Sequence, residues 1–401
     1  MFGGALCARS GVVSGESNRP GQCVAFKNIW LITTSYPRRP DEAINAGILA
    51  RQTALQLVSL GHRVTVVTPD KPGGVIFDDE LNGLILNWRY PRVEMAGLRP
   101  TSLRDMVSMV TLMTRARRSL RVRSETDPPD GLIALWGIPS GLFAEMVSRR
   151  TGAPFTVWLL GSDVWLAERF PLGSRVLRRV VSRARFVAAD SFGLASEAGT
   201  KTSSHVDFLP SSVSLPTARR DPGTNPILGF VGRYHQNKGP DLAIRAMVEL
   251  RSHYPSARLE MHGSGAMQDE LAELAGQLGI SDSVTIGPPL DRQGLAAKLA
   301  TWSALLIPSR IESIPMILGD AIQAGIPVVA TNVGDLGRAC ADYDVAVVVE
   351  AEPAAIAFGA SKAISGPKTG SPSSSAARLF DPLRAATTLL GALHSGDGKA
   401  D

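Results

Sequence analysis

Cysteine is scarce: Cys7, Cys23 and Cys340 are the whole complement, with no C-x-x-C among 401 residues. That excludes a disulfide framework and a thiolate metal site, and it suits a reducing compartment. No uninterrupted apolar run reaches the length of about 18 residues that a membrane-spanning helix needs. Residues 1–24 are rich in Gly and Ser, lack the apolar stretch of a signal peptide, and read as a flexible tail. No G-x-G-x-x-G follows the first apolar strand, which removes a nicotinamide dehydrogenase from consideration. The arginines lack the interleaved aromatics and the motifs of a nucleic-acid surface, so no nucleic-acid partner is expected.

What is present is an ordinary globular composition, 44% hydrophobic and 20% charged with a net charge of +5. A chain of this length exceeds one hydrophobic core, so two domains are expected. Apolar strands at 28–33, 62–68, 131–136, 154–160 and 184–190 alternate with helices at 46–60 and 140–151. Residues 209–226 carry four prolines and read as a linker. Alternation resumes with strands at 227–233, 257–263, 283–287, 304–309, 327–331 and 345–350 and helices at 241–254 and 267–278. Parallel strands require such crossovers, and continuous apolar strands indicate sheets covered on both faces.

The α/β reading is therefore two doubly wound, Rossmann-like domains in tandem, 25–215 and 216–375. Residues 365–375 read as a loop low in apolar residues. A closing helix at 381–393, within a terminal segment 376–401, is placed to cross back to the first domain. Two arginine groups stand out: Arg115, Arg117, Arg118, Arg121 and Arg123 after an apolar run at 106–113, and Arg175, Arg178, Arg179, Arg183 and Arg185. On helices they are either solvated faces or a peripheral contact with anionic lipid. His62, His205 and His235 read as surface or turn histidines.

Ligands of open α/β sheets sit beyond the carboxyl ends of the strands, so the loops there carry the functional text. GRYHQNKG after the strand at 227–233 offers Arg233 and Lys238, two cations suited to a diphosphate. Gly263, Ser264 and Gly265 make a turn without bulk that admits a ligand to the backbone. The third loop, PSRIESIPMILGDAIQAGIPVVAT, sets Glu312 and Asp320 eight residues apart around a helix expected to start near Ser313 to Pro315. Free amides at that helix start suit a phosphate. Glu312 is placed for sugar hydroxyls and Asp320 for ribose hydroxyls.

With GHRVTVVTP, LLGSDVW, FVGRYHQNKG, the GSG turn and PSRIESIP to AGIPVVAT, the chain resembles glycosyltransferase family 4 from residue 28 onward. The last motif is similar to that family's Glu-(x)7-Glu signature. The resemblance implies the GT-B fold, two Rossmann-like domains facing a central cleft, and a retaining hexosyl transfer from a nucleotide-diphosphate sugar, UDP- or GDP-linked. It implies that Arg233 and Lys238 neutralise the diphosphate, that Glu312 orients the sugar and that Asp320 holds the ribose. It also implies that the backbone of Ser313, Ile314, Pro315 and Met316 reaches phosphate, the N–H donors coming from the three residues other than proline. Gly47 admits the donor phosphates or the acceptor, and Asp163 shapes the acceptor side.

No metal or cofactor is implied, since the cations take over charge neutralisation. The acceptor is a lipid-linked, polysaccharide or other glycan, and the setting cytoplasmic, at the inner face of the cell membrane if lipid is contacted. The pattern departs from the family at Leu160, where many members carry His, and at Asp320, where Glu is usual. It departs again at Gly334, Asp335, Leu336, Gly337 and Arg338. Those departures leave open a degenerate nucleotide-sugar-binding protein serving a partner transferase, or an epimerase on the same fold.

Overall fold

The computed structural model describes residues 28–37, 47–70, 81, 85–89, 102–170, 172–366 and 374–394. The tail expected over 1–24 and most of the loop expected over 365–375 lie outside them.

Two all-parallel sheets organise the chain. The first contains β1 (Asn28–Ile32), β2 (Arg63–Asp70), β3 (Ile85–Arg89), β4 (Gly131–Leu135), β5 (Phe155–Leu159), β6 (Phe186–Ala189) and β7 (Asp207–Phe208), in the order β3-β2-β1-β4-β5-β6-β7. The second contains β8 (Ile227–Val231), β9 (Arg258–His262), β10 (Val284–Gly287), β11 (Ala304–Ile307), β12 (Val328–Thr331) and β13 (Val347–Val349), in the order β10-β9-β8-β11-β12-β13. Ile29 stands opposite both Val64 and Gly131, and Leu228 opposite both Leu259 and Ala304, which fixes the two central strands. Every residue of β1, β4 and β5 is buried, as continuous apolar strands under two helical layers must be.

The strand order reverses at β1/β4 in one sheet and at β8/β11 in the other. Those are the topological switch points, where a crevice opens at the carboxyl ends. The helix Pro382–His394 lies on the first domain: Ala386, Leu389 and Leu393 enter the core formed by β1 and the helix Gly47–Ser59.

Several expectations are corrected. The linker at 209–226 has no regular element, but its first residues, 209–213, are buried. The Trp158 indole donates to the Leu209 carbonyl at 2.9 Å and the Ser212 hydroxyl to the Phe380 carbonyl at 2.7 Å, so the crossing is packed from both sides. His62, just before β2, is buried at 3% exposure with its amide donating to the Leu57 carbonyl at 3.2 Å, whereas His205 and His235 are exposed. Four of the five arginines in the second group are tied into the fold. Arg179 and Arg183 hold the fully buried Glu145, and Arg178 and Arg185 donate to the carbonyls of Lys201 and Leu393.

Candidate active site

Three loops, following β8, β9 and β11, meet beyond the carboxyl ends of the second sheet. The first, 232–239, follows β8, and its backbone is gripped by its neighbours. Tyr234 N–H donates to the Ser264 carbonyl at 2.8 Å, and the Asn237 carbonyl accepts Arg310 N–H at 2.8 Å and Ile311 N–H at 3.2 Å. Two glycines make this approach possible. A Cβ on Gly263 would lie 1.8 Å from the Gly232 carbonyl oxygen, and one on Gly239, at φ 63°, 1.9 Å from that of Pro308. Any side chain there would drive these loops apart. The Arg310 guanidinium completes the clamp with two hydrogen bonds to Asp241, at 2.7 and 2.6 Å.

This packing brings together the residues picked from separate motifs. The Lys238 ammonium donates to Glu312 Oε2, which also accepts the Ser309 hydroxyl at 3.1 Å; Glu312 Oε1 accepts Ser313 N–H at 3.2 Å. Glu312 retains 10% side-chain exposure and Lys238 24%, so the pair sits in a crevice still open to a solute. Arg233 is exposed, and its guanidinium has no partner among the described residues. Ser264 and Gly265 are exposed beside it, with Gly263 buried beneath. One fixed and one unpaired cation thus stand at a switch point, an arrangement chemically suited to an anion.

The helix expected to begin near Ser313 to Pro315 begins at Met316, with Pro315 as its N-cap residue (Met316–Ala324). Proline's fixed φ and missing N–H suit the entry to a helix. The Ser313 amide is already turned to Glu312, so the amides open at this helix start belong to Met316 and Ile317.

Asp320 is not an open hydroxyl acceptor. It is 4% exposed, and Oδ1 accepts the Arg292 guanidinium at 2.8 Å. Burial raises its pKa above the ordinary 3.8, and the arginine opposes that rise. Arg292 also donates to the carbonyls of Val213 and Ser214, at 3.0 and 2.9 Å, and thereby joins the interdomain crossing to the donor side. No motif marks Arg292; the only hint in the sequence is a basic residue just after the β10 loop.

In the first domain, Gly47 is buried and opens the helix after β1. Asp163, 1% exposed, accepts Gly137 N–H at 2.5 Å and so holds the backbone after β4, where Trp136 sits in the left-handed region at φ 72°. It acts on this rim through the backbone rather than by facing solvent, and burial raises its pKa. Asp190, directly after β6, is pushed up to about 7 by burial first and then by the charges of Asp163 and Asp335.

The altered segment 334–338 has a defined place. Asp335 Oδ2, just past β12, accepts Gly193 N–H at 2.7 Å at the start of the helix Phe192–Thr202 just past β6. The Arg338 guanidinium lies 4.1 Å from the centroid of the Phe192 ring. These contacts join the carboxyl ends of the two sheets, so the crevices open toward each other.

The raised Asp190 pKa has a measurable consequence. The folded chain holds a proton that the unfolded chain releases near 3.8, so this group lowers stability progressively as pH rises toward about 7. Asp190→Asn, which never ionises, should melt close to the parent at about pH 4 and clearly above it at about pH 8. A difference in melting temperature independent of pH would contradict the assignment.

Two Rossmann-like domains with facing switch points constitute the GT-B architecture. Residues 216–379 match the profile "Glycosyl transferases group 1" and residues 46–207 the profile "Glycosyl transferase 4-like domain". The chain belongs to glycosyltransferase family 4. The D-inositol 3-phosphate glycosyltransferase of Segniliparus rotundus is 32% identical over 239 residues, covering 53% of this chain and 53% of that protein. The matched part thus spans about half the length of that relative. Sucrose-phosphate synthase from Thermosynechococcus elongatus superposes with a TM-score of 0.62 at 16% identity, covering 92% of this chain and 96% of the other. HepE of Anabaena, in complex with UDP and glucose, superposes with a TM-score of 0.60 at 16% identity, covering 91% and 95%.

Proposed function

We propose that the chain is a retaining glycosyltransferase moving a hexose from a UDP- or GDP-linked donor to a lipid-linked, polysaccharide or other glycan acceptor. The observation that carries this reading is the convergence of Lys238, Glu312 and exposed Arg233 at the β8/β11 switch point. Lys238 and Arg233 bind the diphosphate, with the first amides of the helix Met316–Ala324 adding dipole and hydrogen bonds. In the donor complex Lys238 turns from Glu312 to phosphate, freeing the Glu312 carboxylate to orient the sugar hydroxyls. Gly263, Ser264 and Gly265 let the phosphates approach the backbone, and Asp320, braced by Arg292, supports the ribose end.

Charge stabilisation of the departing nucleoside diphosphate is the main contribution of the protein. The acceptor hydroxyl attacks from the face the diphosphate leaves; its proton passes to a leaving phosphate oxygen, and the anomeric configuration is retained. Gly47 and the backbone held by Asp163 bound the acceptor side. The cations replace a metal in this scheme. We place the reaction in the cytoplasm, at the inner face of the membrane when the acceptor is lipid-linked. UDP bound to HepE and the inositol phosphate in the relative's name make UDP-sugars and phosphorylated polyols the first compounds to try.

The test is product analysis by proton NMR with UDP- and GDP-hexoses. Transfer with the donor's anomeric configuration supports the reading, and an inverted product contradicts it. Donor binding without turnover indicates a binding protein serving a partner transferase. Conversion of the donor sugar without an acceptor indicates an epimerase.

A further inference from the structure

The helix Leu103–Thr126 buries one stripe, Ser108, Leu112, Ala116, Leu120 and Ser124, at a spacing of four residues. Its opposite stripe changes character along its length. The N-terminal half exposes Leu103, Met106, Val107 and Val110, at 77, 50, 57 and 61%. The C-terminal half exposes Arg117, Arg118 and Arg121. Arg121 is shared with Glu125, which also takes Arg150, but Arg117 and Arg118 have no ion-pair or hydrogen-bond partner among the described residues. Beside them a groove of about 720 Å³ runs to the next helix, lined by Leu142, Met146, Arg149 and Arg150 among others. Four of the five arginines of the other group are occupied within the fold, whereas Arg117 and Arg118 stand on the same face as exposed apolar side chains.

We propose that this stripe docks the enzyme on an anionic bilayer, with Leu103, Met106, Val107 and Val110 entering the interface and Arg117 and Arg118 lying against lipid phosphates. Four large exposed apolar side chains within about two helical turns are costly in water, and a polyanion such as RNA gives them nothing. A bilayer accepts both halves of the stripe at once, apolar end inward and arginines at the head groups. The inference deepens the membrane setting proposed above, but it stands independently of donor chemistry.

The experiment is flotation of the full chain with vesicles of phosphatidylcholine alone or with about 30 mol% phosphatidylglycerol. The chain should float only with the anionic vesicles. Arg117→Glu/Arg118→Glu should weaken binding about thirtyfold or more, and Val107→Ser/Val110→Ser about tenfold, leaving a residue that salt removes. Arg219→Glu/Arg245→Glu, the same charge change on the second domain, should leave binding intact. Melting temperatures check that each variant is folded. Equal binding to neutral and anionic vesicles, or none, overturns the proposal. So does an equal loss in the control pair, insensitivity to both stripe variants, or self-association through Val107 and Val110 in place of vesicle binding. Hexose transfer to a water-soluble acceptor is measured apart from vesicles, so the two readings fail separately.

Discussion

Lys238→Ala should lower kcat/KM for the sugar donor on the order of 10²- to 10³-fold, equivalent to about 3–4 kcal/mol of lost transition-state stabilisation. Two effects add in the same direction. The diphosphate loses its inner cation, and Glu312, now without its ammonium partner, presents an uncompensated carboxylate where the anion must sit. Glu312→Gln should separate the two roles. Removing that carboxylate frees Lys238 for phosphate, so nucleoside diphosphate binds as well as before or better, while kcat falls on the order of 10²-fold because the sugar loses its orienting group. Steady-state kinetics and calorimetry on the two variants distinguish these outcomes. Full turnover in both would remove the site.

The second large effect is on stability. Arg292→Met should destabilise the chain by about 3–5 kcal/mol, since it strands the carboxylate of Asp320 in a site that is 4% exposed. It also removes the donors to the Val213 and Ser214 carbonyls at the domain crossing. Pairing the change with Asp320→Leu should recover most of the loss, because a matched apolar pair leaves no buried charge. Denaturant titration of parent, single and double variants reads this directly. A cost below about 1 kcal/mol for Arg292→Met would show that the pair is well hydrated.

The sheets were legible because their central strands are continuous apolar runs, as in ILGFV and ALLI, which few other environments accept. β3, Ile85–Arg89, escaped because it is a five-residue edge strand carrying Asn and Arg. The helix Leu103–Thr126 was visible only as an apolar run followed by arginines. Its buried stripe includes Ser108, Ala116 and Ser124 while its exposed stripe is apolar at one end, the reverse of the usual pattern.

At the site, residue types and loop positions carried Arg233, Lys238 and Glu312. Pairing did not follow from them: Lys238 and Glu312 are 74 residues apart, and only the β8/β11 reversal brings them into contact. Asp320 shows what spacing leaves out. Its spacing from Glu312 suggested an open ligand, yet burial beside Arg292 makes it part of a structural pair as well. The link from Asp335 to Gly193, across 142 residues and between domains, has no sequence signature, because one partner is a backbone amide.

The measurement that tests the central claim most directly is a thermal-shift screen of parent and Lys238→Ala against UDP, GDP and ADP without added metal. One nucleoside diphosphate should raise the parent melting temperature by about a few degrees and leave the variant almost unmoved. No shift with any nucleotide, or the same shift in both proteins, would contradict a diphosphate site at Lys238.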